Sequence, residues 1–418
     1  MRKMRWMVIF LCFLAIAVNY IDRANLAVAA PQIEKALGIG PAEMGLVMSG
    51  FFWTYALMQM PFGWFVDRVG ARIALPLAVG WWSLFTALTA AATSVAGMFG
   101  CRLMLGIGEA GAYPSCAKLV SQWFKPEQRA LATSIFDSGS RVGSALSIPV
   151  VALIISSFGW EASFIITGAI GFVWILGWFL IYRNPSRGDL TGAAEAAPQV
   201  RAAPKNKVTW GSLFKYRTLW GMMLGFFCLN FMITFFLTWF PSYLVEERGF
   251  NLLKLGVFGM IPPLAAILGS WAGGLAGDYL LDRGWSLNKV RKTCLVGGML
   301  VCSVIALAAI APEAWQALVL MSISYAAAAF TIVSIWCLPA DVVDSSTVAT
   351  LGSTQNFFSN IGSALSPIVV GALYGATGSF EVPLLLSGAL LVGGALCFGF
   401  LIKKVEPIRR PELEAPAV

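Results

Sequence analysis

The chain has 418 residues, 58% of them hydrophobic and 12% charged, and its mean hydropathy is +0.76. Soluble domains carry about 25% charged residues, so an ordinary soluble protein is excluded. Histidine is absent, which removes His-based triads, His-ligated zinc or haem and imidazole proton relays, and leaves proton chemistry to carboxylates. Eight cysteines (Cys12, Cys101, Cys116, Cys228, Cys294, Cys302, Cys337, Cys397) stand singly in apolar stretches without a C-x-x-C spacing. Neither a disulfide framework nor a metal site is indicated.

A helix needs about 20 apolar residues to cross a bilayer. In chain order such runs cover 6–29, 43–66, 73–92, 95–120, 131–157 and 161–182, then 218–244, 254–278, 292–311, 313–340, 346–375 and 382–402. They are longer than barrel strands and lack two-residue alternation. The first run follows a basic start, as a signal peptide does, but it continues for about 24 residues and carries Asp22 and Arg23, so it reads as a span. The pattern predicts an all-α membrane protein of twelve transmembrane helices in two six-helix halves. The first half is 1–182, a polar cytoplasmic linker is 183–217, the second half is 218–402, and 403–418 is a cytoplasmic tail.

Basic residues set the orientation. Of 29 Lys and Arg, only Lys35, Arg248 and Lys254 fall in loops on one side, and Arg23, Arg102 and Arg141 fall inside spans. The rest lie in the termini, the linker and the loops of the other side, which places both termini in the cytoplasm. Lipid topology thereby accounts for the net charge of +8 without a nucleic acid partner.

The second and eighth spans end alike. Gly63-Trp-Phe-Val-Asp67-Arg68-Val-Gly70-Ala-Arg72 is echoed by Gly274-Leu-Ala-Gly-Asp278 followed by Asp282-Arg283-Gly284, and both the Gly63–Gly274 and Asp67–Asp278 offsets are 211 residues. A fixed offset marks duplication, and in transporters such repeats meet at a mid-membrane site.

G-x-x-x-D-R-x-G-x-R between spans two and three resembles the cytoplasmic signature of the major facilitator superfamily, and Arg102-x-x-x-Gly106-x-Gly108 resembles its second motif. Asn19-Tyr20-Ile-Asp22-Arg23-Ala-Asn25-Leu, with Phe236-Leu-Thr-Trp239-Phe-Pro241, is similar to the anion:cation symporter family. That family includes bacterial galactonate, glucarate and hexuronate transporters and is related to sialin. The likeness runs through the chain apart from the linker and tail. It implies the two pseudo-symmetric halves of the major facilitator fold, working by alternating access in a bacterial inner membrane.

Charges in mid-bilayer cost about 2.5–3.5 kcal/mol each on insertion scales, and this chain holds six. Tyr20 and Arg23 share a helix face beside Asp22, and Arg102, Gly106 and Glu109 share another. Two arginines make a cationic pocket that suits a carboxylate better than a neutral sugar, with Tyr55 and Gln59 able to add polar contacts. Charge placement alone leaves buried structural pairs, Asp22–Arg23 and Arg102–Glu109, equally open; the resemblance favours a ligand site. Burial and a neighbouring arginine act oppositely on a carboxyl's proton affinity, so substrate competing for an arginine can release Asp22 or Glu109 to take a proton. The resemblance implicates these two positions in proton coupling and places Trp336 and Asn356 in the substrate pocket. Asn230 and Gln355 are weaker candidates.

Asp137 and Arg141 in span five form an additional i, i+4 polar pair that is not a general feature of the family. The spacing favours a local salt bridge; the alternative is that Arg141 contacts the far end of a dicarboxylate. Asp67, Arg68 and Arg72 are expected to form a cytoplasmic gate, pairing with the start of span eleven or the loop between spans four and five. Gly106-Ile-Gly108-Glu-Ala-Gly111 matches G-x-G-x-x-G by letter, but no strand precedes it, and close helix packing is the better account. Pro241, Pro262, Pro263, Pro339 and Pro367 are expected to break or kink spans.

No G-x-S-x-G, metal cluster or G-x-x-x-x-G-K-[ST] is present, which argues against an enzyme or a nucleotide-driven pump. The expected function is proton-coupled uptake of an organic anion, a sugar acid such as a hexonate, hexuronate or aldarate, by a functional monomer without a cofactor. The sequence leaves open sodium as coupling ion, a smaller or aromatic carboxylate as substrate, and anion exchange or export.

Overall fold

The structure, a computed structural model, describes residues 2–124, 126–183, 214–343 and 348–406. Lys125, most of the linker and most of the tail lie outside these residues. Every regular element among the described residues is helical. Ten helical segments are long and apolar enough to cross a membrane, and the chain is a multi-pass membrane protein. Large apolar side chains such as Met60, Phe158, Leu180 and Phe400 are more than 70% exposed, as a lipid-facing surface requires.

The predicted second and fourth spans are absent from those ten for separate reasons. Helix α2 (Pro41–Val69) is long enough but carries Ser49, Thr54, Tyr55 and Gln59 along its apolar run. The fourth run is broken into α4 (Val95–Glu109) and α5 (Ala112–Trp123). Pro114 in the first turn of α5 lacks an N–H and its ring opposes the carbonyl four residues back, that of Ala110, and the turn at Ala110–Gly111 takes up the break.

The chain divides into two compact units. The first comprises the described residues within 1–199, 233–264 and 363–383. It contains α1 (Arg2–Leu37), α2, α3 (Ala71–Thr89), α4, α5, α6 (Pro126–Phe158) and α7 (Trp160–Ile181). Its principal packings are α1 on α6, α2 on α4, and α3 on α7 and α4. Small residues make these approaches. A Cβ on Gly139 or Gly143 would strike the carbonyls of Phe13 or Ala17, and one on Gly106 would strike the Phe51 carbonyl and Thr54 hydroxyl. Gly108 abuts Trp81 and Trp82, and Gly111 abuts Phe62 and Ala78, so the G-x-G-x-x-G letters serve helix packing. Trp174, Trp178 and Tyr182 stack in series against this core.

The first unit also takes in the ends of later spans. Helix α8 (Arg217–Thr238) stops just before Pro241, and a π turn, Tyr243–Glu247, follows. Between α9 (Leu252–Phe258) and α10 (Ile261–Asp282) the helix is interrupted just before Pro262 and Pro263. Gly45 of α2 meets the Pro367 carbonyl, Gly371 meets the Pro41 carbonyl, and Gly256 meets Pro149. Trp239 Nε1 donates to the Pro367 carbonyl oxygen at 3.1 Å. Tyr374 stacks on Phe380 with ring centroids 4.1 Å apart and donates its hydroxyl to Glu246 at 2.9 Å.

The second unit comprises the described residues within 200–232, 265–362 and 384–418. Here Gly269 and Gly273 of α10 lie against the Ala326 and Phe330 carbonyls of α11 (Ala314–Val342). Arg291 and Asp341 form an ion pair at 2.7 Å. Ser324 donates to the Cys302 carbonyl at 2.6 Å. Gly362 of α12 (Val348–Thr377) packs on Phe227.

The duplicated motif has a backbone counterpart. Gly70, between α2 and α3, has φ +86°, and Gly284, after α10, has φ +81°. Only glycine adopts that region without strain, so both copies keep glycine at the tight turn.

Candidate functional site

The candidate site is built on α1 and α4 of the first unit. Asn19, Asp22 and Arg23 on α1 and Arg102 and Glu109 on α4 are all buried. The Arg23 guanidinium donates through Nη2 and Nε to the same oxygen, Glu109 Oε2, at 2.7 and 3.1 Å, and its Nη2 also donates to Asn19 Oδ1 at 3.3 Å. The pairing thus differs from that expected. Arg23 pairs with Glu109 between helices, because adjacent residues on one helix point apart whereas Glu109 projects from the facing helix.

Aromatic rings form the rest of the guanidinium's cage. The Arg23 guanidinium carbon lies 4.6 Å from the Tyr20 ring centroid, 4.5 Å from that of Phe51 and 5.1 Å from that of Tyr55. Arg102 joins the same group: its guanidinium lies 5.6 Å from the Phe51 centroid, and Nη2 donates to the Arg23 carbonyl at 3.4 Å. Arg102 Nε, Glu109 Oε1 and both oxygens of Asp22 have no hydrogen-bond partner among the described residues. The Trp82 indole and Thr167 hydroxyl neighbour the Asp22 carboxylate, but neither reaches hydrogen-bond geometry. Asn25 braces this end of α1 to α7, donating to Thr167 Oγ1 at 3.0 Å and accepting from Ser163 Oγ at 2.8 Å.

Two guanidiniums and two carboxylates therefore occupy one dry cluster with unused hydrogen-bonding capacity. When all four are ionised their charges cancel. Arg23 and Arg102 supply fixed charge and forked donors suited to a carboxylate. Tyr20, Tyr55 and Gln59 are half-buried, and the first two face Arg23 directly.

Tyr113 was not singled out by sequence. It lies four residues after Glu109, the one signal that could have placed it on the same face, and its hydroxyl donates to Asp137 Oδ1 at 3.1 Å. The expected local Asp137–Arg141 salt bridge is not formed. Asp137 turns to the Tyr113 hydroxyl, which brings a neutral donor to it across the α5–α6 contact.

In the second unit, Trp336 is half exposed and packs edge-on against Phe226 with centroids 5.7 Å apart. Gln355 Nε2 donates to the Ile335 carbonyl at 3.2 Å, which sets it beside Trp336, and its Oε1 is buried without a partner. Asn356 is half-buried; its Oδ1 accepts from Ser359 at 3.4 Å and its carbonyl from Asn360 at 2.9 Å.

At the end of α2, Lys118 of α5 donates to the Asp67 carboxylate at 2.9 Å and to the Val66 and Asp67 carbonyls at 3.1 and 3.0 Å. Lys118 thus caps the α2 C-terminus, where a cation suits the exposed carbonyls. The partner of Asp67 lies on the helix that leads into the loop between spans four and five. Arg68 covers the Trp64 ring at 5.3 Å. The exposed Arg72 offers its carbonyl to Trp178 Nε1 at 3.0 Å.

The sequence model of the Major Facilitator Superfamily matches residues 12–350. The chain is 34% identical to the D-galactonate transporter of Escherichia coli O6:H1 over 97% of each chain. It is 32% identical to a protein of Escherichia coli K12 named as a probable galactarate/D-glucarate transporter, over 98% of this chain and 96% of the other. A crystal structure of a bacterial homologue of the human lysosomal transporter Spinster, in an inward-facing and occupied conformation, superposes with a TM-score of 0.83. It covers 96% of this chain and 97% of that one at 19% identity, a likeness of fold.

Proposed function

The chain belongs to the Major Facilitator Superfamily, and from that premise we propose that it takes up a sugar acid (a hexonate, hexuronate or aldarate) together with protons by alternating access. The two six-span halves rock about the site, both termini lie in the cytoplasm of a bacterial inner membrane, and one chain forms the pathway. Arg23 and Arg102 hold the substrate carboxylate. Tyr20, Tyr55 and Gln59 add polar contacts to it, and Trp336 and Asn356 are the substrate-contacting residues of the second half. Asp67, Arg68 and Arg72 act at the cytoplasmic gate, with Asp67 latched to Lys118.

The observation that carries this reading is the charge balance of the buried cluster. Arg23, Arg102, Asp22 and Glu109 sum to zero when ionised, so an incoming carboxylate leaves one uncompensated negative charge away from water. Such a charge costs several kcal/mol. One proton on Asp22 or Glu109 removes it, so substrate and proton enter together. Glu109 gives up Arg23 to the substrate and can take that proton; Asp22, with no donor on either oxygen among the described residues, is the alternative acceptor.

The test is thermal unfolding of the detergent-purified protein with galactonate, glucarate and glucuronate, against galactose and glucose. A ligand that binds the folded state raises the melting temperature by mass action. One acid should raise it while its neutral sugar does not, and Arg102→Ala should erase the shift. Uptake of that acid into proteoliposomes should then follow an inward proton gradient and persist without sodium. A shift with aromatic or small carboxylates alone would replace the sugar acid, and uptake that ignores the proton gradient would remove the coupling.

A further inference from the structure

We propose that Arg141 is a third guanidinium of the substrate site and holds the second acidic group of a dianionic acid, so that this chain selects aldarates over aldonates. The proposal rests on the reading of Arg23 and Arg102 as the carboxylate site.

Arg141 lies ten residues inside the candidate span Leu131–Phe158. A charge at that depth either pairs or serves a ligand. Asp137, its partner by helical spacing, is bonded to the Tyr113 hydroxyl. The serines beside Arg141 on the helix spend their hydroxyls on α6 carbonyls: Ser138 donates to Ile135 and Ser140 to Asp137. Arg141 itself makes no ion pair or hydrogen bond with any described residue.

Its stripe of α6 faces protein. Asp137, Arg141 and Ile148 lie at i, i+4 and i+11, on one side of the helix. One turn before Arg141 this side is covered by Tyr113, and two turns after it Ile148 lies against Gly259. Arg141, between these covered levels, is only half-buried.

That stripe adjoins the carboxylate site through tyrosines. Tyr113, which covers it at Asp137, neighbours Tyr20 and Tyr55, and the Tyr20 ring lies 4.6 Å from the Arg23 guanidinium. An acid with one carboxylate satisfies the Arg23–Arg102 pair and leaves Arg141 unmatched. An acid with a carboxylate at each end can satisfy both, each through a forked guanidinium contact.

The experiment is calorimetric titration of the detergent-purified full chain with galactarate, which has two carboxylates, and with galactonate, which has one. The wild type should bind galactarate more tightly. Arg141→Gln should weaken galactarate about 10- to 100-fold, the size of a lost charge-assisted contact, and change galactonate by less than about threefold. Arg141→Lys, which keeps the charge but not the fork, should fall between. Equal loss for both acids, or no loss for either, overturns the proposal, as does equal wild-type affinity for the two, which decides the matter even if Arg141→Gln does not fold. Galactonate binding that survives in Arg141→Gln while the galactarate preference fails to appear leaves the carboxylate site standing. A wild type that binds neither acid removes that reading and this proposal together.

Discussion

Replacing Glu109 by glutamine separates the charge of the Arg23 partner from its shape. In the wild type a substrate carboxylate must displace two charge-assisted hydrogen bonds, at 2.7 and 3.1 Å, both to Glu109 Oε2. Contacts of this kind contribute about 1.5–3 kcal/mol each and are roughly twice as strong as neutral ones. The amide oxygen of glutamine accepts the same two bonds at about half the strength, so displacement becomes easier by about 1.5–3 kcal/mol. At 1.4 kcal/mol per tenfold, Glu109→Gln should tighten substrate binding by about 10- to 100-fold at neutral pH. The sign of the pH dependence follows from the same competition. Protonating Glu109 releases Arg23, so wild-type affinity should rise as pH falls, whereas the variant should show a flatter profile. Titration calorimetry of both proteins from pH 5 to 8 measures this about as directly as binding permits. Unchanged or weaker binding in Glu109→Gln, with the wild-type pH slope intact, would show that Glu109 and substrate do not compete for Arg23.

Asp22→Asn should abolish uptake driven by a proton gradient and spare counterflow exchange of labelled substrate; concentrative uptake in this variant would remove Asp22 from the coupling. Gly106→Ala places a methyl against the Phe51 carbonyl and Thr54 and should destabilise by about 1–3 kcal/mol, as overpacking does. The same change at Gly63, where a Cβ meets nothing, should be neutral or stabilising by up to about 1 kcal/mol, and the two melting temperatures test the contrast. Trp239→Phe deletes the bond to the Pro367 carbonyl and should cost about 0.5–1.5 kcal/mol. In that variant, cysteine labels placed near Gly45 should react faster if the Pro367 contact holds this region shut.

The all-helical membrane fold and the presence of buried charges were legible because hydropathy and intramembrane charge are properties of the chain itself. The fourth span shows where that legibility stops. Its apolar run is continuous, but Pro114 breaks the helix while the hydropathy continues, so composition registers one span where the backbone makes two segments. Pairing was less legible still. Arg23 lies next to Asp22 in sequence, yet Glu109 holds it, 86 residues away, and only the packing of α1 against the α4 region decides that. The Asp137–Arg141 spacing allowed a bridge that Tyr113 pre-empts. Spacing says which groups can meet along one helix; a competing donor on a neighbouring helix is invisible to it. Asn25, with its ties to Ser163 and Thr167, was passed over because an asparagine carries no charge whose burial demands a reason.

The contacts of Gly45 with Pro367, Gly371 with Pro41 and Gly256 with Pro149 bring main chain close to main chain, with Trp239 the large side chain set beside the first two. A junction knitted from long side chains must freeze their rotamers each time it forms and melt them each time it parts, at up to about 2 kcal/mol per chain. Glycine and proline have nothing to freeze. A seam of this kind orders almost no side-chain rotamers, so its packing carries little side-chain entropy cost.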